Sequence, residues 1–366
     1  MRPTEIDSSD YQQHLNHKAQ ALRDRFRGLS CPSLEIFESA PLHYRMRAEF
    51  RVWHDGEDLF HIMFDPQTKE KYRVDQFPPA SRLINDVMQD LLPLLRADSV
   101  ARRKLYQIDY LSTTSGEILI SLIYHRTLDQ QWQESIAPIL AELRQKYRLD
   151  IVGRARKQQL HLDRNYVIET LNIKNRELHF KQIENSFTQP NAGVNQKMIE
   201  WALDVTQQSE GDLLELYCGL GNFTLPMANN FHRVLATEIS KASVDAAHYN
   251  LSLNHIDNVT VIRMSSEEFT QAKEGKRTFR RLQNTDISAF NCKTVLVDPP
   301  RAGLDPDTCN LVSNYDNILY ISCNPDTLYD NLQTLTKTHQ IERFALFDQF
   351  PYTHHAECGV FLRRIR

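Results

Sequence analysis

The stretch Tyr320-Ile321-Ser322-Cys323-Asn324-Pro325-Asp326-Thr327 sets a cysteine between two kinds of structure. Ile318-Leu319-Tyr320-Ile321 is an apolar run long enough for one buried strand. Asn324-Pro325-Asp326 reads as a helix start, with Asn as N-cap, Pro at the first helical position and Asp in the first turn. Cys323 is therefore expected at the carboxyl end of a strand, just ahead of a helix amino terminus. The free N–H groups and dipole of that helix end favour a thiolate and lower its pKa from about 8.5 into the reactive range. A thiolate there attacks electrophilic carbon. The alternative is a small residue that only fills space, and the rest of the chain bears on that choice.

Three more stretches carry chemistry. Leu214-Glu215-Leu216-Tyr217-Cys218-Gly219-Leu220-Gly221-Asn222-Phe223 is an apolar strand running into a glycine turn, which lets the backbone pass close beneath a cofactor. A dinucleotide-binding turn would have a third glycine where Thr224 stands, which counts against a pyrophosphate. The next strand ends in Thr237-Glu238, where an acid pairs with ribose hydroxyls, so turn and acid together point to a nucleoside-type cofactor. Val297-Asp298-Pro299-Pro300-Arg301 places a carboxylate at a strand end on a rigid, non-helical backbone. Amino-methylating enzymes carry an aromatic ring after such prolines; Arg301 at that position disfavours amine methylation. Finally, Pro351-Tyr352-Thr353-His354-His355-Ala356-Glu357 precedes the last strand. His354 and His355 lack a third ligand at suitable spacing, so no metal site is expected.

These residues need a scaffold that gathers them. From residue 194 onward strands and helices alternate, with strands expected at 213–217, 233–238, 259–264, 294–298, 318–322, 343–350 and 358–363. The last two are joined too closely for a crossover helix, so the final strand should run antiparallel. In a parallel sheet all carboxyl ends lie on one edge, where ligands bind. Tyr217, Glu238, Asp298 and Cys323 share that edge, and 351–357 crosses it, bringing Glu357 to Cys323. Seven strands with this closing hairpin resemble a Rossmann-like class I S-adenosylmethionine-dependent methyltransferase domain, an α/β fold.

Upstream, residues 9–29 read as an exposed amphipathic helix, and His43–Trp53 alternates strictly: Met46, Ala48, Phe50 and Val52 one way, Arg45, Arg47, Glu49, Arg51 and Trp53 the other. A strand face with three arginines and an indole can hold phosphates and stack a base, or it can be an ordinary solvated face. Helices near 80–96 and 129–147 and strands near 105–111, 117–125 and 149–152 complete an α+β domain. The polar link at 185–191 is expected to separate an amino-terminal α+β domain, 1–184, whose basic segments and aromatics are compatible with RNA binding, from a second domain, 185–366, that carries the chemistry.

Composition is that of a globular protein, 41% hydrophobic and 25% charged, and no apolar run reaches the length of a membrane span. The six cysteines form no C-x-x-C pair, which argues against zinc or iron–sulfur and suits reduced thiols in a cytoplasmic protein; the amino-terminal residues lack a signal-peptide pattern. Net charge is −4, with residues 1–190 near neutral at 27 basic against 26 acidic side chains, so partners must be read from local basic runs.

Phe187-Thr188-Gln189-Pro190-Asn191, the Glu215–Phe223 turn, Asp298-Pro299-Pro300-Arg301-Ala302-Gly303, Ser322-Cys323-Asn324-Pro325 and His355-x-Glu357 together resemble the motif set of the RNA 5-methyluridine methyltransferases. The resemblance covers nearly the whole chain. It implies Cys323 as nucleophile and Glu357 as base, and Gln189, Tyr217, Asn222, Glu238 and Asp298 as contacts to S-adenosylmethionine, the methyl donor. Thiolate addition at C6 of uracil makes C5 reactive, and a base must then remove the C5 proton. The target base must leave its stack, so Arg45, Arg47, Arg51, Trp53, Tyr106 and His125 are candidate RNA contacts. Ribosomal-RNA members carry an extra OB-like module and a four-cysteine iron–sulfur cluster; the first 200 residues here contain only Cys31. The resemblance therefore favours the tRNA branch, acting on U54 of the T-loop, with transfer-messenger RNA (tmRNA) as a second substrate, no metal, and no protein partner in evidence. The alternatives are ribosomal-RNA 5-methyluridine or RNA 5-methylcytosine formation, or an RNA-folding protein with secondary methylation.

Overall fold

The computed structural model describes residues 2–65 and 67–365. A helix, α1 (Tyr11–Arg25), and a short strand, β1 (Leu34–Phe37), lead the chain. They are followed by β2 (Arg47–Asp55), β3 (Asp58–Phe64), β4 (Lys71–Arg73), α2 (Arg82–Ala97), α3 (Ser99–Arg102), β5 (Leu105–Ser112), β6 (Glu117–Tyr124), α4 (Gln130–Leu143), β7 (Arg148–Ala155) and β8 (Gln158–His161). Strands β2 to β8 form one sheet in the order β4-β3-β2-β5-β6-β7-β8. Its core face is set by the alternation of β2, where Ala48, Phe50 and Val52 are buried. Ile84, Val87, Met88, Leu91, Leu92 and Leu95 form the apolar stripe of α2 and join the same core, as do Trp132, Ile136 and Leu140 of α4. Arg45, expected within the strand, makes only isolated bridges to Ala80 and Asn191.

A hairpin of β9 (Tyr166–Ile173) and β10 (Arg176–Ile183) comes next. After it the chain alternates: α5 (Ala192–Val205), β11 (Asp212–Leu216), α6 (Thr224–Met227), β12 (Val234–Glu238), α7 (Lys241–Leu253), β13 (Val259–Arg263), α8 (Ser266–Lys273), β14 (Cys292–Val297), α9 (Pro306–Val312), β15 (Asn317–Ser322), α10 (Pro325–Leu335), β16 (His339–Phe347) and β17 (Glu357–Arg364). The sheet order is β1-β16-β17-β15-β14-β11-β12-β13. Neighbours among β11 to β15 are parallel, and β17 is antiparallel to both β15 and β16.

Two features differ from the sequence expectation. The sheet has eight strands rather than seven, because Leu34-Glu35-Ile36-Phe37 adds a parallel edge to β16, with Phe37 stacked on Phe347 at 4.9 Å. Four residues bounded by polar turns give no pairing signal of their own, and their partner lies some 300 residues on. Contacts also divide the chain discontinuously, not by one cut at 184/185. One unit holds Met1–Ser8, Ala40–Thr170 and Lys181–Ala192; the other holds Ser9–Ser39, Leu171–Phe180 and Gly193–Arg366. The reason is α1, whose stripe Tyr11, Leu15, Ala19 and Leu22 is buried in the core of the second unit together with Phe26.

Candidate active site

The sheet register brings the sequence candidates together. Leu216 of β11 pairs with Thr237 of β12 and Val297 of β14. One residue further along each strand stand Glu238, Tyr217 and Asp298, abreast at the carboxyl edge. Ser322 of β15 pairs with Cys358 of β17, so the next positions across that ladder are Cys323 and Glu357. Asp298, Cys323 and Glu357 thus converge although nearly 60 residues separate the first from the last.

The glycine turn after β11 is a left-handed backbone segment, with positive φ at Tyr217, Gly219 and Gly221. Gly219 has open space where a Cβ would stand, whereas a Cβ on Gly221 would meet Leu225 Cδ1 at 2.4 Å. The turn is pinned by Asn250 Nδ2, which donates to the Leu220 carbonyl at 3.0 Å. Glu238 accepts from the Gly219 N–H at 3.1 Å and the Ser240 N–H at 2.7 Å, fixing its carboxylate against the turn with lone pairs to spare. Asn222 exchanges two amide hydrogen bonds with Asn195 of α5, each 2.8 Å. The Tyr217 hydroxyl donates to Ser266 Oγ at 2.7 Å.

Around Cys323 the backbone is held by side chains. Asn324 caps α10 by accepting from the Asp326 N–H at 3.1 Å, and its Nδ2 donates to the Arg301 carbonyl at 2.8 Å. Thr327 Oγ1 donates to the same carbonyl at 3.2 Å, so the Asp-Pro-Pro-Arg turn and the start of α10 form one rigid piece. Arg301 Nη2 lies 2.9 Å from His355 Nδ1. Cys323 is half-buried and Glu357 is buried.

The electrostatics reverse one sequence expectation. Burial pushes the Cys323 thiol up to about 11, and the Glu357 and Asp298 carboxyls add to the rise while Arg301 opposes it. The helix end offers less than its position promised: Pro325 has no N–H, and the Asp326 N–H is already taken by the Asn324 side chain. Burial, then Asp298, holds Glu357 well above the usual carboxylate range. Burial pushes Asp298 up to about 7. Glu215, in β11 two residues before Tyr217, is pushed up to about 8 by burial, with Asp298 contributing. One Glu215 oxygen is buried without a hydrogen-bond partner. Three sequestered carboxyls and an orphaned oxygen beside a glycine turn suit a ligand that brings positive charge, such as a sulfonium or an ammonium group. Glu215 is not among the residues the sequence analysis marks as cofactor contacts; its signal is an acid set between two leucines of a buried strand. A thiol opposite a buried carboxyl, next to that turn, is equipped for nucleophilic addition and proton removal at one substrate ring.

The remaining candidates belong to the first unit. Gln189 is half-buried on 181–192, in the first unit. In the same unit Arg51 lies over the Tyr106 ring at 4.0 Å, Tyr106 stacks on His125 at 3.9 Å, and Trp53 is 39% exposed with Lys71 over its ring. Arg47 Nη1 donates to the Ser186 carbonyl at 3.0 Å. Arg45 departs from this row: burial lowers its pKa, and its Nε donates to the Arg47 carbonyl at 2.7 Å. The neighbouring Phe187 ring is 74% exposed. Among the described residues no group of three or more His, Cys, Asp or Glu side chains is placed to hold a metal, and no helix is long and apolar enough to cross a membrane.

Comparison with known proteins places these features in context. Residues 10–365 match the family model described as tRNA (Uracil-5-)-methyltransferase. The chain is 60% identical, over the full length of both, to a tRNA/tmRNA (uracil-C(5))-methyltransferase of Pseudoalteromonas atlantica. It is 57% identical, again over both full lengths, to the protein of the same description from Shewanella amazonensis. Among solved structures it resembles the Pyrococcus abyssi tRNA (uracil-54, C5)-methyltransferase in complex with S-adenosyl-L-homocysteine, with a TM-score of 0.73 at 17% identity, covering 96% of this chain and 83% of that one.

Proposed function

This chain belongs to the tRNA (uracil-5-)-methyltransferase family, and from that premise we propose that it methylates C5 of uracil in tRNA and in tmRNA, at U54 of the T-loop. The observation that carries the chemistry is the cross-strand placement of Cys323 against Glu357 at the carboxyl edge. The Cys323 sulfur adds to C6 of the ring, the electron pair moves towards the C4 carbonyl, and the resulting enolate makes C5 nucleophilic. When bound, S-adenosylmethionine supplies the electrophilic methyl group. Glu357 then removes the C5 proton, the C5–C6 double bond re-forms and the cysteine leaves. A carboxyl whose pKa is raised by burial suits proton abstraction near neutrality better than an exposed one.

Glu238 suits a ribose diol, Asn222 and Tyr217 flank the glycine turn, and Asp298 with Glu215 suits the positive end of the donor. Gln189 enters this set through the family motif. The exposed Phe187 ring, the Arg51–Tyr106–His125 contacts and Trp53 supply stacking surfaces and positive charge for the T-arm, and a cytoplasmic location is part of the same proposal.

The test is incubation of the purified protein with unmodified tRNA transcript and methyl donor, then mass spectrometry of T-loop fragments. One added methyl on U54, recovered as 5-methyluridine, is expected. Recovery of 5-methylcytidine, or methylation confined to ribosomal RNA, would replace this reading by one of its alternatives.

A further inference from the structure

Among the described residues, the ion pair with the least exposed side chains is Lys18–Asp348, in the second unit. Lys18 lies on the buried stripe of α1 beside Tyr11, Leu15, Ala19 and Leu22. Its Nζ donates to Asp348 Oδ1 at 2.6 Å and to the Phe350 carbonyl at 2.8 Å. The two side chains are 5% and 1% exposed. Burying an ammonium costs several kcal/mol before its partners offset it, and an apolar residue of similar length would fit the stripe without that cost. What an apolar residue would not supply is two directed hydrogen bonds to the connection between β16 and β17.

That connection, Asp348 to Ala356, ends on Glu357. Its start is tied to β1, since the Asp348 N–H donates to the Phe37 carbonyl at 3.0 Å. Tyr11 and His14 of α1 pack against Tyr352, with ring centroids 5.8 and 5.6 Å apart. Beyond Phe350, Thr353 Oγ1 donates to the Phe350 carbonyl at 2.8 Å and accepts from the His355 N–H at 3.2 Å. The Phe350 carbonyl therefore takes both Lys18 and Thr353, and with Tyr352 it is where α1 meets the turn that leads to Glu357.

We propose that Lys18 is a positioning residue for Glu357: its ammonium, bridging Asp348 and the Phe350 carbonyl, sets the path of 348–356 and so the placement of the carboxyl opposite Cys323. This rests on Glu357 being the base. A helix near the start of the chain thereby serves the last step of the reaction, after the covalent bond to RNA has formed.

The experiment compares Lys18→Met, Asp348→Asn and the double variant with Glu357→Gln, using full-length protein and T-arm RNA. Thermal unfolding, kcat, KM for RNA and the steady-state level of covalent adduct on denaturing gels are measured for each. For Lys18→Met the expectation is a fall in kcat of about 10- to 100-fold, as for a small misplacement of a reacting group, with KM within about twofold. Adduct should accumulate as it does for Glu357→Gln, and the double variant should be no worse than the more impaired single one. Should Lys18→Met fold poorly, Asp348→Asn carries the same expectation. Normal kcat in a folded variant, or adduct and turnover falling together, would overturn the proposal and leave the pair purely structural. Absence of adduct in Glu357→Gln itself would instead overturn the assignment of the base.

Discussion

Cys323 and Glu357 are the first residues beyond the antiparallel ladder of β15 and β17, the pairing that runs from Asn317↔Arg363 to Ser322↔Cys358 carried one step further. The proposed nucleophile and base are therefore brought side by side by the pairing of β15 with β17, while the 348–356 connection decides how the Glu357 carboxyl meets the thiol. The division of labour between them is testable.

Replacing Cys323 with Ala should abolish both methylation and the covalent RNA adduct, with RNA affinity retained. Glu357→Gln should lower turnover by about 10²- to 10⁴-fold, the usual share of a general base, and leave adduct trapped because elimination stalls. Denaturing gels with labelled T-arm RNA separate the two outcomes, and a Glu357→Gln enzyme that turns over without trapped adduct would remove the residue from its role.

Burial and the neighbouring carboxyls push the thiol up, and that can be measured without RNA. Because the Asp298 carboxyl helps push Cys323 up to about 11 and is ionised at pH 8, Asp298→Asn should lower the thiol pKa and speed alkylation by iodoacetamide at that pH. Arg301→Ala should slow it, since that guanidinium favours the thiolate. Mass spectrometry of the modified Cys323 peptide gives the rates. Equal rates in all variants would mean that burial alone sets the thiol.

Most of the fold was legible because its signals are local. The helix start at Asn324-Pro325, the glycine turn after Leu216 and the closing hairpin each announce themselves within about ten residues, and the parallel topology then forces the carboxyl ends onto one edge. What the sequence hid was non-local. β1 has four residues and a partner some 300 positions away, α1 reads as an exposed helix until its stripe finds the core of the second unit, and Lys18 reads as a solvated charge until Asp348 is seen against it. The thiol differs for another reason: burial, with the neighbouring carboxyls, raises Cys323, and the helix end that would oppose this has no N–H on Pro325 and its next one taken by Asn324.

Stability should fall as pH rises in the absence of the methyl donor. A carboxyl whose pKa is raised in the fold binds its proton more tightly there than in the unfolded chain, so its contribution is intact below the unfolded value and is lost as pH climbs through the folded one. For Asp298 and Glu215 that window runs from about 4 to the folded values of about 7 and about 8. S-adenosylmethionine, whose cationic groups suit these carboxyls, should raise Tm more at pH 8 than at pH 5.5. Glu215→Gln should flatten the pH dependence. Scanning calorimetry with and without donor decides it, and a donor-induced shift independent of pH would show that the ligand leaves these carboxyls untouched.

The row of arginines on the first sheet should divide by function. Tyr106→Ala removes the ring held between Arg51 and His125; both its faces are already covered, so it offers no platform to a base, and the variant should weaken T-arm binding less than Arg51→Ala does. Arg51→Ala should weaken binding and reduce the slope of log Kd against log salt by about one. Arg45 is committed to the Arg47 carbonyl and largely sequestered, so Arg45→Ala should lower Tm while leaving the salt slope unchanged. Fluorescence anisotropy at several salt concentrations, beside thermal unfolding of the same variants, measures both quantities. A salt slope that falls equally in Arg45→Ala and Arg51→Ala would place both guanidinium groups on phosphate and require Arg45 to turn outward when RNA binds.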